Sequence, residues 1–416
     1  MSRIKNVSAI EILDSRGRPT LLATCELQDG SVGRASVPSG ASTGAAEALE
    51  LRDRDPARYA GLGCLKAAQN VSQDINRALA GQDFAAQQTL DRCLIDLDGT
   101  DNKSRLGANA ILGVSLAFAR AQSAQRGLEL YRHLADIAGT VPRLPKPMIN
   151  LYSGGLHAGG QVAIQDVQLV VPGAGSVQET LAVVAGVFRA AAKRLQDNYG
   201  MRLLRADEGG LAPPFASSQD MFLEALRAIV DAGYAPADDV ALTVDVAASH
   251  FYEESVYHLD SERLDRAGMV DRIDQWRRDF PLVSVEDGMD QDDWAGWRAL
   301  CARLQGNVLV LGDDLLCTNP ARIRRAITEK AADSLLLKVN QIGTISEAAQ
   351  ALRLARAAGW RIVVSARSGE TEDHWLADLA VAWAGDYIKV GSITQSERLA
   401  KYNRLLELEH DARLTF

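Results

Sequence analysis

Positive charge is in deficit along this 416-residue chain, with 45 lysines and arginines against 54 acids and a net charge of -9 at pH 7. A polyanion such as nucleic acid needs a basic face to neutralise its phosphates, so nucleic acid is not an expected partner. A small phosphorylated substrate remains open, because a few cationic side chains or metal ions can set a local field opposite to that of the whole protein. Cysteine is scarce too. Cys25, Cys64, Cys93, Cys301 and Cys317 are odd in number and scattered, with no CxxC pair and no adjacent histidines at metal-ligand spacing. They read as reduced structural thiols rather than a disulfide framework or a zinc site. Nor does any apolar run approach the roughly 18 to 20 residues of a membrane span, and Met1-Ser-Arg-Ile-Lys-Asn6 lacks an apolar signal core. A cytoplasmic protein with no membrane partner is expected. No low-complexity tail or short-period repeat interrupts the chain.

The organisation that is present falls into two parts. Residues 3–37 alternate strand-like runs with turns such as Asp14-Ser-Arg-Gly-Arg-Pro19 and Asp29-Gly30, the pattern of a small antiparallel meander. Helical spacing follows over 64–79, 83–95 and 109–125, giving an α+β capping domain over residues 1–137. The proline-rich stretch Val141-Pro-Arg-Leu-Pro-Lys-Pro147 marks the boundary. Over residues 138–416 apolar runs alternate with amphipathic segments at 177–197, 218–232, 265–279 and 344–358. That rhythm predicts an α/β fold with a parallel sheet, and its length suits a closed βα barrel.

Three acids end three apolar runs: Asp245 after Val240-Ala-Leu-Thr-Val244, Glu286 after Leu282-Val-Ser-Val285 and Asp313 after Val308-Leu-Val-Leu-Gly312. Parallel strands bring such carboxyl ends to one mouth of a barrel, where the acids can converge on a cation. Solvated loop acids are the commoner fate of these residue types, but a carboxylate directly behind a buried strand needs a cation or hydrogen bonds. Oxygen donors without histidine or cysteine suit Mg²⁺ or Mn²⁺ rather than Zn²⁺. Lys338 ends Ser334-Leu-Leu-Leu337, and Lys389 lies in Asp386-Tyr-Ile-Lys-Val-Gly391. Mutual repulsion and nearby metal charge are expected to lower the pKa of at least one lysine, so that one acts as a base while the other pairs a substrate anion.

Further signals are weaker singly. The small polar stretch Ser36-Val-Pro-Ser-Gly-Ala-Ser-Thr-Gly44 suits a lid. Ala206-Asp-Glu-Gly-Gly210 puts Glu208 before a flexible glycine pair, as a mobile general acid. Arg367 and Ser368 follow the run Arg361-Ile-Val-Val364, at the seventh or eighth barrel position where phosphate sites often lie.

Taken in order, Asp14-Ser-Arg-Gly17, Ser39-Gly-Ala-Ser-Thr-Gly44, Leu106-Gly-Ala-Asn-Ala-Ile-Leu-Gly113, Asp207-Glu-Gly-Gly210, Glu286-Asp-Gly288, Gly312-Asp-Asp-Leu315, Lys338-Val-Asn-Gln-Ile-Gly343 and Ser368-Gly-Glu-Thr-Glu-Asp373 resemble the enolase (phosphopyruvate hydratase) family from end to end. The resemblance implies an α+β domain before a variant βα barrel with one antiparallel strand, a homodimer or higher oligomer, and two Mg²⁺ per site. It also implies Asp245, Glu286 and Asp313 as ligands of the first Mg²⁺ and Ser42 as a ligand of the second. Lys338 becomes the base and Glu208 the acid that protonates the departing hydroxyl. Lys389 pairs with the substrate carboxylate, Arg367 and Ser368 hold its phosphate, and His157 closes over it.

The pattern departs from the family in the half that handles the hydroxyl. Gln-Glu-Phe-Met reads Gln165-Asp-Val-Gln168, so a supporting glutamate becomes Asp166. Ser-His-Arg-Ser-Gly reads Ser365-Ala-Arg-Ser-Gly369, so Ala366 replaces a histidine, and a methyl group can neither titrate nor hydrogen-bond. The glycine before Asp-Glu-Gly-Gly is Ala206. His374 in Glu372-Asp-His-Trp375 stands at an expected helix start and reads as structural. The implied reaction is the interconversion of 2-phosphoglycerate and phosphoenolpyruvate. A paralogue acting on another phosphorylated or phosphonate acid, similar to carboxyphosphonoenolpyruvate synthase, is the alternative, and a non-catalytic scaffold is the third reading.

Overall fold

Alternating buried and half-buried positions make strands of β1 (Ser2–Leu13), β2 (Pro19–Leu27) and β3 (Val32–Ser36). The computed structural model describes all of residues 1–416 except 42, 201–203, 411–413 and 415. In it these strands pair antiparallel, and β4 (Asp83–Phe84) adds to the free edge of β1 in the order β3-β2-β1-β4. At the turn from β1 to β2 the Asp14 carboxylate accepts the N–H groups of Arg16 and Arg18 at 2.8 and 3.0 Å. The sheet packs on the buried helix Ala108–Gln125. Gly33 permits that approach, since a Cβ there would lie 2.0 Å from the carbonyl oxygen of Ala117.

Two helical expectations are corrected. The segment beginning at Asp83 opens as β4, because the unpaired edge of β1 at Ser2 and Arg3 takes Phe84 and Asp83 as partners; the helix proper is Gln87–Asp98. The 64–79 segment is helical, but with a wider turn at Val71–Ile75 between Leu65–Asn70 and Asn76–Leu79.

The second part closes into a barrel. Its strands are β5 (Lys146–Ser153), β6 (Asp166–Val170) and β7 (Ala241–Asp245). A small outlying sheet of β8 (Tyr252–Glu253), β9 (Val256–Leu259) and β10 (Glu262–Leu264) comes next. The barrel then resumes with β11 (Leu282–Glu286), β12 (Leu309–Gly312), β13 (Ser334–Leu337), β14 (Arg361–Ser365) and β15 (Tyr387–Gly391), which pairs back to β5. Strands covered on both faces read as continuous apolar runs, which is why Ser334–Leu337 is buried throughout. Helices such as Val177–Tyr199, Ser218–Asp231 and Ile345–Ala357 begin where Ser176, Ser217 and Thr344 accept an amide N–H of the first turn. No helix among the described residues is long and apolar enough to cross a membrane, and all five cysteines are free thiols.

Strand β6 runs antiparallel to both β5 and β7. The loop from β5 reverses the chain without a crossover helix, and a parallel neighbour would need one. The first residue of β6 therefore lies at the same mouth as the last residues of the other strands. Met148, Val170, Leu311, Leu336 and Val363 form a second apolar cluster, apart from the main core. Spaced two or four residues from mouth positions, they plug the barrel interior below them.

Candidate active site

Backbone register places the acids side by side. Asp166 pairs with Asp245, Asp245 with Glu286, and on the other flank of Asp166 stands Ser153. Across the mouth Ser365 pairs with Lys389. Asp313 and Lys338 directly follow β12 and β13, and Arg367 lies two residues beyond β14, the seventh of the eight barrel strands in chain order. Asp245, Glu286, Asp313, Glu208, Asp166 and His157 are all buried.

Lysines supply the countercharge. Lys389 Nζ donates to Asp245 Oδ2 at 2.8 Å and to Glu286 Oε1 and Oε2 at 2.8 and 2.7 Å. Lys338 Nζ donates to Asp313 Oδ2, whose other oxygen accepts Gln341 Nε2 at 2.7 Å. Gln165 Nε2 donates to Asp245 Oδ2 at 2.9 Å. Burial alone would depress both lysines, yet Asp313 holds Lys338 above the usual lysine range, and Asp245 with Glu286 holds Lys389 well above it. Sequence reasoning expected one lysine to be lowered. That expectation included the charge of a bound metal; the carboxylate contacts by themselves act the other way. Burial pushes Glu286 well up, with Asp245 adding to it. Asp245 and Asp313 end up below the carboxylate range because the lysines outweigh their burial.

A second cluster faces this one. Ligand atoms of His157, Asp166 and Glu208 all lie within 4.8 Å of one another. His157 Nδ1 stands 3.4 Å from Asp166 Oδ2, an ion-pair distance without hydrogen-bond geometry. Ser153 Oγ donates to Asp166 Oδ1 at 2.5 Å, and Asn150 Nδ2 to Glu208 Oε2 at 3.2 Å. Burial opposes the charged imidazole, but Asp166, Glu208 and Asp245 raise His157 above its ordinary value. Burial raises Asp166 against the pull of His157, whereas His157, Arg398 and the two lysines bring Glu208 down despite its burial. Environment thus separates two neighbouring carboxyls in opposite directions.

Backbone hydrogen bonds hold the turn that carries Glu208. Gly209 N–H donates to Ala206 O at 2.9 Å, and Ser392 N–H to Glu208 O at 2.9 Å. A Cβ on Gly209 would stand 2.8 Å from Thr394 Oγ1, and one on Gly210 would stand 2.4 Å from Ser153 Oγ. These glycines allow close packing.

Arg367 is engaged from the first domain. Its Nη1 and Nη2 donate to Glu47 Oε2 and Oε1 at 3.1 and 3.2 Å, and Nη1 also reaches Asn340 Oδ1 at 3.0 Å. Ser368 Oγ accepts Arg16 Nη1 at 3.0 Å, and Ser39 and Gly369 bridge the lid to the barrel. Ser42 lies outside the described residues. Ala366 is buried, and its N–H donates to Lys389 O at 2.8 Å. His374 precedes the helix Trp375–Ala382, with Nδ1 at 3.4 Å from Asp378 Oδ2.

As a metal site the mouth has mixed geometry and suitable chemistry. Asp245, Glu286 and Asp313 do not close to the mutual 4.8 Å reached by His157–Asp166–Glu208 and by Asp287–Asp313–Asp314. The latter group is a loop support, since Asp287 accepts the N–H groups of Asp313 and Asp314 at 2.9 and 2.8 Å. The donors Asp245, Glu286 and Asp313 are nevertheless all buried oxygens that attract lysine ammonium groups, which is the set a hard divalent cation takes. Sequence reasoning missed Gln165, Gln341, Asn150, Ser153 and Glu47. The two glutamines lie inside or beside quoted motifs, whereas nothing local distinguishes Glu47.

Residues 4–134 match the family model described as the enolase N-terminal domain, and residues 142–414 match that of the enolase C-terminal TIM barrel domain.

Proposed function

Because the chain belongs to the enolase family, we propose that it is a Mg²⁺-dependent carbon–oxygen lyase that interconverts 2-phosphoglycerate and phosphoenolpyruvate. The observation that carries this reading is one barrel mouth with Lys338 and three carboxylates on one side and Glu208, Asp166 and His157 on the other.

Removing a proton beside a carboxylate concentrates negative charge on two oxygens, so the site must meet that charge with cations. Mg²⁺, held by Asp245, Glu286 and Asp313 and in a second position by Ser42, would supply that charge and compete with Lys338 for Asp313. Lys338 Nζ takes the α-proton in its neutral form, which it would reach once Asp313, the carboxylate that holds its proton, is engaged by the metal. Lys389 meets the substrate carboxylate. Arg367 exchanges Glu47 for the phosphate, whose oxygens suit the same bidentate fork, and Ser368 adds a hydroxyl. Glu208 is the acid that protonates the departing hydroxyl; His157 keeps it ionised at rest, so the proton it delivers is drawn from the neighbouring His157 imidazolium, whose own pKa is raised.

A second reading rests on Ala366 and Asp166: an enolase paralogue acting on another phosphorylated or phosphonate carboxylic acid. The buried methyl of Ala366 offers no hydrogen bond to a hydroxyl or phosphate. A scaffold without chemistry is disfavoured, because a buried charge cluster of this kind opposes folding unless it has a use. A cytoplasmic homodimer or higher oligomer belongs to the same proposal.

The test is direct. Purified protein with Mg²⁺ and 2-phosphoglycerate should produce the absorbance of phosphoenolpyruvate. No product, together with turnover of a related phosphonate acid, would select the paralogue.

A further inference from the structure

The loop joining β5 to β6, residues 154–165, carries His157 to the mouth and returns the chain to Asp166. Its tip has little beneath it. Leu156 is 62% exposed, and a cavity of about 520 Å³ lies against the loop, lined by Gly155, Leu156, Gln161, Val162, His250 and His258. Two buried atoms of that lining, Gln161 Oε1 and His250 Nδ1, have no hydrogen-bond partner among the described residues. Bonds within the loop set its shape: Gly154 N–H donates to Gln165 O at 2.7 Å, Gly155 N–H to Val162 O at 3.0 Å and Gly160 N–H to Gly155 O at 2.7 Å. Its placement needs anchors outside the loop.

The return limb has such an anchor. Ala163 N–H donates to Asp260 Oδ1 at 3.0 Å, and the same oxygen accepts Ser218 Oγ at 2.9 Å. Asp260 Oδ2 accepts Ser218 N–H at 2.7 Å, while Ser218 Oγ accepts Ile164 N–H at 3.5 Å. Asp260 sits between β9 and β10 with a φ of 51°, a left-handed conformation that a residue with a side chain seldom adopts. An aspartate at a turn that favours glycine is consistent with a need for its carboxylate.

We infer that Asp260 is a positioning residue, whose carboxylate clamps the return limb of the His157 loop to the start of the helix Ser218–Asp231 and so sets His157 against Asp166 and Glu208. The inference rests on the proposed reaction for its kinetic consequence. Asp313 and Lys338 follow β12 and β13, away from the clamp, so loosening it should impair hydroxyl departure while sparing proton abstraction.

The experiment compares wild type with Asp260→Gly, which keeps the left-handed turn and removes the carboxylate, and with Asp260→Asn, which keeps one acceptor oxygen. Dehydration of 2-phosphoglycerate and exchange of its α-proton with D₂O are measured with Mg²⁺ present. Misplacing a reacting group by about 1 Å costs on the order of 100-fold, so the expected result for Asp260→Gly is a fall in dehydration kcat of about 10- to 100-fold with exchange within about threefold of wild type. Asp260→Asn should lie between. Equal losses in both rates, or no loss of dehydration, overturn the clamp. Wild type inactive in both assays defeats the proposed reaction instead. Amide hydrogen exchange then decides the clamp: faster exchange at His157 and Ala163 in Asp260→Gly upholds it, and unchanged protection there overturns it.

Discussion

Asp166 and Asp245 stand directly opposite each other in the antiparallel pairing of β6 with β7. Two buried carboxylates at adjacent positions cannot both remain ionised without separate cations. Here Asp245 has Lys389 at 2.8 Å, and Asp166 has His157 at 3.4 Å. The proposed division of the mouth into a metal-and-base half and a hydroxyl half rests on that pairing.

Lys338→Met should lower turnover of 2-phosphoglycerate by at least about 10²- to 10⁴-fold, the usual worth of a positioned acid–base group. Exchange of the α-proton with D₂O should fall in parallel. A variant that still exchanges at the wild-type rate would remove Lys338 from the role of base.

Lys389→Met leaves Asp245 and Glu286 without their ammonium, and breaking a buried pair in this way costs about 3–5 kcal/mol. Thermal unfolding without metal should register the loss. Mg²⁺ should stabilise wild type by about 2.7 kcal/mol at a hundred times its Kd, with a larger increment in Lys389→Met, where no ammonium competes for the same oxygens. Asp245→Asn should diminish both increments. Equal Mg²⁺ shifts in all three proteins would place the metal elsewhere.

His133 tests a site distant from the mouth. Its Nδ1 meets Arg126 Nη1 at 2.9 Å, and its buried Nε2 has no partner among the described residues. Burial, with Arg126 adding to it, lowers the imidazole from 6.5 to about 4. Between those values the unfolded chain binds a proton that the folded chain refuses. The stabilisation is therefore complete above pH 6.5 and is lost as pH falls to about 4. The shift corresponds to roughly 3 kcal/mol. Denaturant titrations of wild type and His133→Gln from pH 7 to 4 should show a shallower loss in the variant, and parallel losses would contradict the assignment.

Ala366→His asks what the buried methyl means. If the hydroxyl half has been tuned away from 2-phosphoglycerate, the imidazole should raise its dehydration by at least about tenfold, the lower end of an acid–base contribution being 10²-fold. An unchanged rate would leave Asp166, His157 and Glu208 sufficient by themselves. Steady-state kcat and KM on 2-phosphoglycerate distinguish the two outcomes.

Much of this site was legible along the chain. Asp245, Glu286, Asp313, Lys338 and Lys389 each end or occupy a continuous apolar run, and a barrel brings such positions to one mouth. Arg367 and Ser368 fell at the seventh strand, within the expected range. Less visible were the partners. Glu47 reaches Arg367 across 320 positions and Arg398 lies near Glu208, contacts that no local periodicity carries. The same limit hid β4, whose residues continue a helical pattern until the edge of β1 recruits them.

The sequence by itself determined the strand-end chemistry, the two-part architecture and the family resemblance, because apolar period and residue type are local properties. Tertiary structure alone decided which carboxylates each lysine meets. Mutual repulsion and metal charge were expected to lower at least one of Lys338 and Lys389, whereas contact with Asp313, Asp245 and Glu286 pulls both the other way. Electrostatic energy depends on distances between residues far apart in the chain, and only the folded barrel sets those distances.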